Sequence, residues 1–64
     1  MTRINGKNTD ISDITFAEYL EREGYSLKRI AVEVNGEILK KQDYSATKIK
    51  DGDVIEIVGF VGGG

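Results

Sequence analysis

The sequence contains no cysteine, histidine, proline or tryptophan. Without cysteine there is no disulfide bond or thiol nucleophile, and zinc sites built from cysteine and histidine are excluded. Without histidine the chain lacks the side chain that most often moves protons near neutral pH. Its 64 residues allow one small domain, since a second core needs roughly another 50 residues. The length excludes a large multi-domain enzyme, and the missing residue types leave few side chains that could act in catalysis.

The charges are nearly balanced, with nine basic and eleven acidic residues and a formal net charge of −2. Both signs are interspersed, so no basic stripe indicates nucleic-acid binding. There is no long apolar run and no basic leader followed by an apolar block, so we expect no membrane segment, no secretory signal and a cytoplasmic location. We also expect no bound metal ion or cofactor.

Isoleucine and valine outnumber leucine, a bias that favours strands over helices. Asn5-Gly6 and Asn35-Gly36 are typical of two-residue hairpin turns, and Asp51-Gly52-Asp53 is a further turn signal. An acid/base pair or calcium loop at Asp51 and Asp53 is less favoured, because the other ligands of such a loop are missing. Strands are predicted at residues 2–5, 9–11, 30–34, 37–40 and 54–58.

One helix is predicted between the two hairpins. Thr15 and Glu18 have the spacing of a capping box, and Gly24 is a natural helix stop. Phe16, Tyr19 and Leu20 fall on one helical face, which must pack against a sheet because so short a helix is unstable alone.

The order of these elements predicts the architecture. Residues 41–50 lose periodicity and are expected to form an irregular or short 3₁₀ passage anchored by Tyr44 and Ile49. The sequence therefore predicts an α+β roll of the β-grasp type, with one helix packed across a mixed sheet of four or five strands. The last strand is expected to lie beside the first.

The C-terminus ends in three glycines, Gly62, Gly63 and Gly64, directly after the apolar residues Phe60 and Val61. Such a triplet is either a frayed end or a segment that must enter a space too narrow for side chains. The adjoining apolar pair favours the second interpretation, because a solvated tail would be polar there. We expect Gly64 to end the chain with a free α-carboxylate.

Four segments in register resemble the ThiS family of bacterial sulfur carrier proteins, small ubiquitin-like proteins of thiamine biosynthesis. The segments are Ala31-Val32-Glu33-Val34-Asn35-Gly36-Glu37-Ile38, Lys50-Asp51-Gly52-Asp53, Ile55-Glu56-Ile57-Val58 and Val61-Gly62-Gly63-Gly64. The resemblance runs the length of the chain. It departs from the family at Lys40-Lys41, where Pro-Arg is frequent, and at Tyr44, where Trp is frequent.

The resemblance implies a carrier with no catalytic side chain, whose reactive group is the carboxylate of Gly64. An ATP-dependent adenylating enzyme of the ThiF type would activate that carboxylate. A sulfur donor such as a cysteine desulfurase would convert it to a thiocarboxylate, and thiazole synthase of the ThiG type would take the sulfur. ATP would be used by the partner enzyme.

The same resemblance divides the chain into a β-grasp domain of residues 1–58 and a flexible glycine-rich tail of residues 59–64. Gly62 and Gly63 would thread into partner active sites, while Phe60, Val61 and Val58 would dock on the partner. Val58, with Ala31 and Val54, alternates away from the predicted core and is expected to form an exposed patch.

Two alternatives stay open. The chain could carry sulfur for molybdopterin synthesis, cysteine synthesis or tRNA thiolation, whose carriers share the fold and the Gly-Gly ending. It could instead be a ubiquitin-like modifier joined through Gly64 to lysines of other proteins.

Overall fold

The structure is a computed structural model and describes residues 1–59. It contains one α-helix, α1 (Phe16–Arg22), and short 3₁₀ turns at Leu27–Arg29 and Lys41–Asp43. Five strands form a single mixed sheet: β1 (Thr2–Ile4), β2 (Lys7–Thr9), β3 (Ile30–Val34), β4 (Glu37–Leu39) and β5 (Val54–Gly59). The predicted β-grasp architecture is confirmed.

The strand order is β2-β1-β5-β3-β4, so the last strand lies in the middle of the sheet. β5 runs parallel to β1 and antiparallel to β3, and the two hairpins form the outer parts of the sheet. The predicted neighbourhood of the first and last strands is confirmed. β5, the strand that leads to the C-terminus, is therefore paired on both sides and has no free edge within the sheet.

Both Asn-Gly turns are formed as predicted. Asn5 and Gly6 have φ angles of 51° and 82°, and Asn35 and Gly36 have 54° and 87°. Positive φ at both central residues is the geometry of a type I′ turn, whose twist matches that of the strands it joins.

The position of β2 differs from the prediction, which placed it at residues 9–11. A two-residue turn returns the chain at once, so Ile4 pairs with Lys7 and Thr2 with Thr9. The prediction was wrong because Lys7–Thr9 contains no apolar residue to mark it as a strand. Ile11, taken as part of the strand, lies beyond it and donates its N–H to Thr9 Oγ1 at 2.9 Å.

Helix α1 begins and ends at the predicted signals. Thr15 Oγ1 accepts from the N–H of Glu18 at 3.1 Å, while the Glu18 carboxylate lies 3.7 Å from Arg22. At the other end Gly24 adopts φ 84°, and the N–H of Tyr25 donates to the carbonyl of Leu20 at 2.9 Å. This last bond completes a Schellman motif, which requires the left-handed residue that glycine supplies.

The hydrophobic core lies between α1 and one face of the sheet. The helix buries its predicted face, with Phe16 and Leu20 almost wholly inaccessible and Tyr19 also buried. Tyr44 and Ile49 anchor the irregular passage as predicted. The other core side chains are inward-facing residues of the strands: Ile4, Ile30, Val32, Ile55 and Ile57. Within residues 1–59, no helix has the length and apolarity needed to cross a membrane.

Candidate functional site

The two turn asparagines hold the central strand from both sides. Asn5 donates its N–H to the carbonyl of Ile55 at 2.9 Å, and its Oδ1 accepts from the N–H of Ile57 at 2.7 Å. Asn35 donates its N–H to the carbonyl of Val54 at 2.7 Å, and its Oδ1 accepts from the N–H of Val54 at 2.9 Å. The turns therefore do more than reverse the chain, since each fixes part of the strand that leads to the C-terminus.

Replacing Asn5 with glycine tests this role of the turn. Glycine keeps the positive φ, so the substitution removes mainly the side-chain acceptor of the Ile57 N–H. Leaving a partly buried donor without its partner costs about 1–3 kcal/mol. We expect urea unfolding to show a loss of stability in that range.

Asn35→Gly is the matched comparison, because its side-chain hydrogen bonds to Val54 and Asp53 are exposed. Water can replace an exposed partner, so the loss should be about 1 kcal/mol or less. Equal losses for the two variants would contradict the assigned role of Asn5.

The sheet face opposite α1 is exposed and carries several apolar side chains. Val54, Val58 and Ile38 are 45%, 58% and 72% exposed, and Ala31 is half-buried. Ala31 is the cross-strand partner of Val58, so the two share this face. We call the surface formed by these four residues the outer face. A set of apolar side chains left uncovered on one sheet face is typical of a protein-binding surface.

Two glutamates lie in the middle of the outer face. Glu33 pairs with Glu56 across β3 and β5, and with Ile38 across β3 and β4. Like charges directly opposite each other destabilise a sheet. The pair therefore does not stabilise the free domain, which favours the interpretation that another molecule binds this face.

A groove of about 420 Å³ opens at the end of the sheet where β5 finishes. Its apolar lining includes Ile30, Leu39 and Tyr44, and Lys40 and Lys41 also line it. Ile30 is the cross-strand partner of Gly59, the last residue of β5. We call this feature the β3–β4 groove. Burial raises the pKa of the Tyr44 hydroxyl above its ordinary value.

A second hollow, of about 280 Å³, lies at the opposite end of the sheet and is lined by Asn35, Thr47 and Asp53 among others. Asp51 and Asp53 form the predicted turn, in which the N–H of Lys50 donates to Asp53 Oδ2 at 2.9 Å. Across residues 1–59 there is no group of three or more acidic side chains that could hold a metal ion.

Of the predicted site residues, the structure describes Val58, which lies on the outer face. Phe60, Val61, Gly62, Gly63 and Gly64 lie outside the described residues, and their roles stay predictions. β5 continues one residue past the predicted strand end, through Gly59. The division at residue 58 between domain and tail also stays a prediction.

Sequence reasoning missed two contributors to this surface. Ile38 was predicted only as part of a returning strand; it faces outward because it pairs with Glu33, whereas Leu39 pairs with the buried Val32. The β3–β4 groove was not predicted, because it joins residues 30–31 to residues 38–44. The adjacent lysines at 40 and 41 were the one sequence signal for it.

Comparison with known proteins identifies relatives along the whole chain. The ThiS family model matches residues 2–64. The sulfur carrier protein ThiS of Bacillus subtilis is 39% identical, with 100% of both chains covered. The crystal structure of the thiamine biosynthesis protein ThiS from Geobacter metallireducens has a TM-score of 0.76 at 33% identity, covering 98% of this chain and 97% of that one.

A third relative is a larger protein. The thiazole synthase of Paramagnetospirillum magneticum is 40% identical over 62 residues, which are 95% of this chain and 19% of that protein. The chain therefore spans about a fifth of the length of this relative.

Proposed function

Because the chain belongs to the ThiS family of sulfur carrier proteins, we propose that it carries sulfur for thiazole formation in thiamine biosynthesis. The observation that supports this pathway is the match within a protein named thiazole synthase. A stretch like this chain within the same polypeptide as a thiazole synthase supports the proposal that the carrier and such an enzyme act in one pathway. The molybdopterin, cysteine and tRNA pathways have no such support among the relatives described above.

The proposed reaction takes place at the main chain. The α-carboxylate of Gly64 attacks the α-phosphate of ATP on the adenylating enzyme, forming an acyl-adenylate and releasing pyrophosphate. A persulfide sulfur of the donor then displaces AMP and forms an acyl disulfide, and a second thiol cleaves its S–S bond, which releases the thiocarboxylate and leaves a disulfide between the two thiols. Adenylation is needed because resonance makes a carboxylate a poor electrophile. No side chain of the carrier takes part, which fits a sequence without cysteine or histidine.

In this proposal the described residues fix where the C-terminal segment begins and provide a surface that the partner binds. β5 is held by β1, β3 and two asparagine side chains, so the point where the C-terminal segment (residues 60–64) departs is fixed relative to the outer face. For a partner that binds the outer face, the start of the C-terminal segment therefore lies at a fixed position relative to the bound surface. Val58, the exposed apolar side chain nearest the end of β5, would be covered in that complex.

Alanine substitutions at two glycines test where the narrow channel of the partner begins. A Cβ at Gly59 meets no atom within 4 Å and its φ is not positive, so Gly59→Ala should leave the fold unchanged. A Cβ at Gly63 would clash inside a close-fitting channel, at about 1–3 kcal/mol. We expect Gly63→Ala to lower kcat/KM for adenylation about 10- to 100-fold, measured by pyrophosphate exchange.

Gly59→Ala should change the same rate constant less than about threefold, a shift within 1 kcal/mol. Equal rates for Gly63→Ala and the unsubstituted chain would contradict a glycine-specific channel.

The pathway is tested by reconstitution with a thiazole synthase. Carrier loaded with radioactive sulfur is mixed with thiazole synthase and its other substrates, and in parallel with a molybdopterin synthase large subunit. We expect label in the thiazole product and none in molybdopterin. Label in molybdopterin alone would show a sulfur carrier of another pathway, and branched lysine conjugates in cells would show a modifier.

A further inference from the structure

Positive charge is concentrated at the end of the sheet where β5 finishes. Lys28 and Arg29 directly precede β3, and Lys40 and Lys41 directly follow β4. Lys41 Nζ donates to the carbonyl of Lys28 at 2.9 Å, which brings the two stretches together. Four of the nine basic residues of the chain therefore lie beside one another.

These cations are not neutralised within the described part of the chain. All four side chains are exposed, and the ion pairs found among residues 1–59 are Met1 with Asp51 and Arg22 with Glu18. The described residues that line the β3–β4 groove include Lys40 and Lys41 and no carboxylate. The groove is thus an apolar depression with a positive border.

The groove is also continuous with the outer face. Ala31 and Ile38 belong to both surfaces, and Ile30 joins the groove to the end of β5. Neighbouring strands lie about 4.8 Å apart, so Gly59, the last described residue of β5, lies one strand spacing from Ile30 in the groove wall.

We propose that the β3–β4 groove binds a segment of the adenylating enzyme in which an apolar side chain is flanked by carboxylates. This inference rests on the proposed function, in which the adenylating enzyme is the first to take the C-terminus. The apolar side chain packs against Leu39 and Tyr44, and the carboxylates lie beside Lys40 and Lys41. Complementary charge of this kind raises the association rate and is weakened by salt.

Charge reversal at the groove tests the inference in the full-length chain. For Lys40→Glu with Lys41→Glu, we expect the Kd for the adenylating enzyme to rise about tenfold or more, because like charges would then face each other. The kcat for adenylation should stay near that of the unsubstituted chain, since the inference assigns both lysines to binding and neither to the reaction at Gly64. The salt dependence of Kd should become flatter than in the unsubstituted chain.

Lys7→Glu with Lys48→Glu is the matched control, with the same change in net charge at two exposed lysines that do not line the groove. Its Kd should rise less than about threefold. Lys41 also donates a hydrogen bond to the carbonyl of Lys28, so Lys40→Glu is measured alone as a variant that keeps this bond. Its Kd should rise more than that of the control.

Three results would overturn the inference. One is an equal loss of affinity in the groove variant and its control, which would mean that net charge alone matters. Another is unchanged binding in the groove variant. The third is a set of nuclear Overhauser contacts between Phe60 and Leu39 or Tyr44 in the free full-length protein, which would make the chain's own C-terminal segment the occupant. If the unsubstituted chain is not adenylated at all, the proposed function fails first and the inference fails with it.

Discussion

A chain in which the α-carboxylate of Gly64 is replaced by an amide should acquire no sulfur. The amide keeps the length and the glycines of the C-terminus but removes the oxygen nucleophile that must attack ATP. We expect no pyrophosphate release and no change in intact mass after incubation with the adenylating enzyme, ATP and a sulfur donor. The control is a chain made by the same ligation with a free carboxylate.

Deletion of Gly64 tests whether a terminal carboxylate is sufficient or must also lie at a fixed distance from β5. The shortened chain ends in the carboxylate of Gly63, which lies up to about 3.5 Å short of the native position. Sulfur loading should again be lost, although a carboxylate is present. Loading of the amide chain would contradict a reaction at the terminus, while normal loading of the shortened chain would contradict a fixed distance from β5 to the active site.

Replacing Phe16 with alanine should unfold much of the protein. Phe16 is 1% exposed at the start of α1, and truncation of such a side chain costs about 3–5 kcal/mol. A domain of this size has a total stability of about 3–10 kcal/mol. We expect the Tm to fall by more than about 12 °C, measured by circular dichroism.

The other phenylalanine of the chain provides the matched comparison. Phe60→Ala makes the same substitution in the segment assigned to partner docking, so it should leave the Tm within about 2 °C and weaken binding to the adenylating enzyme. A fall in Tm as large as that of Phe16→Ala would mean that Phe60 belongs to the core of the free domain. The assigned docking role would then be wrong.

The architecture could be predicted because its signals are local. The Asn-Gly dipeptides, the Thr15 cap and the Gly24 stop each specify one backbone geometry, and the structure has all of them. The strand pattern around Ile30 specifies its own register, since one face is apolar. β2 was misplaced because it has no apolar face and takes its register from the turn alone.

The contacts between distant segments could not be predicted in the same way. An asparagine at the first position of a type I′ turn is already explained by its positive φ, so nothing in the sequence marks Asn5 Oδ1 as the acceptor for Ile57. The β3–β4 groove likewise depends on how the passage after β4 folds back near Lys28. The proposed reactive terminus rests on the glycine triplet and the family resemblance, not on contacts within the described residues.

The most direct test of sulfur carriage is the intact mass of the full-length chain after incubation with a ThiF-type adenylating enzyme, ATP and a sulfur donor. We predict a gain equal to the replacement of one oxygen by one sulfur. Fragmentation should place that gain at Gly64, and omission of ATP should abolish it. An unchanged mass with an enzyme that loads another ThiS protein under the same conditions would contradict the proposed function.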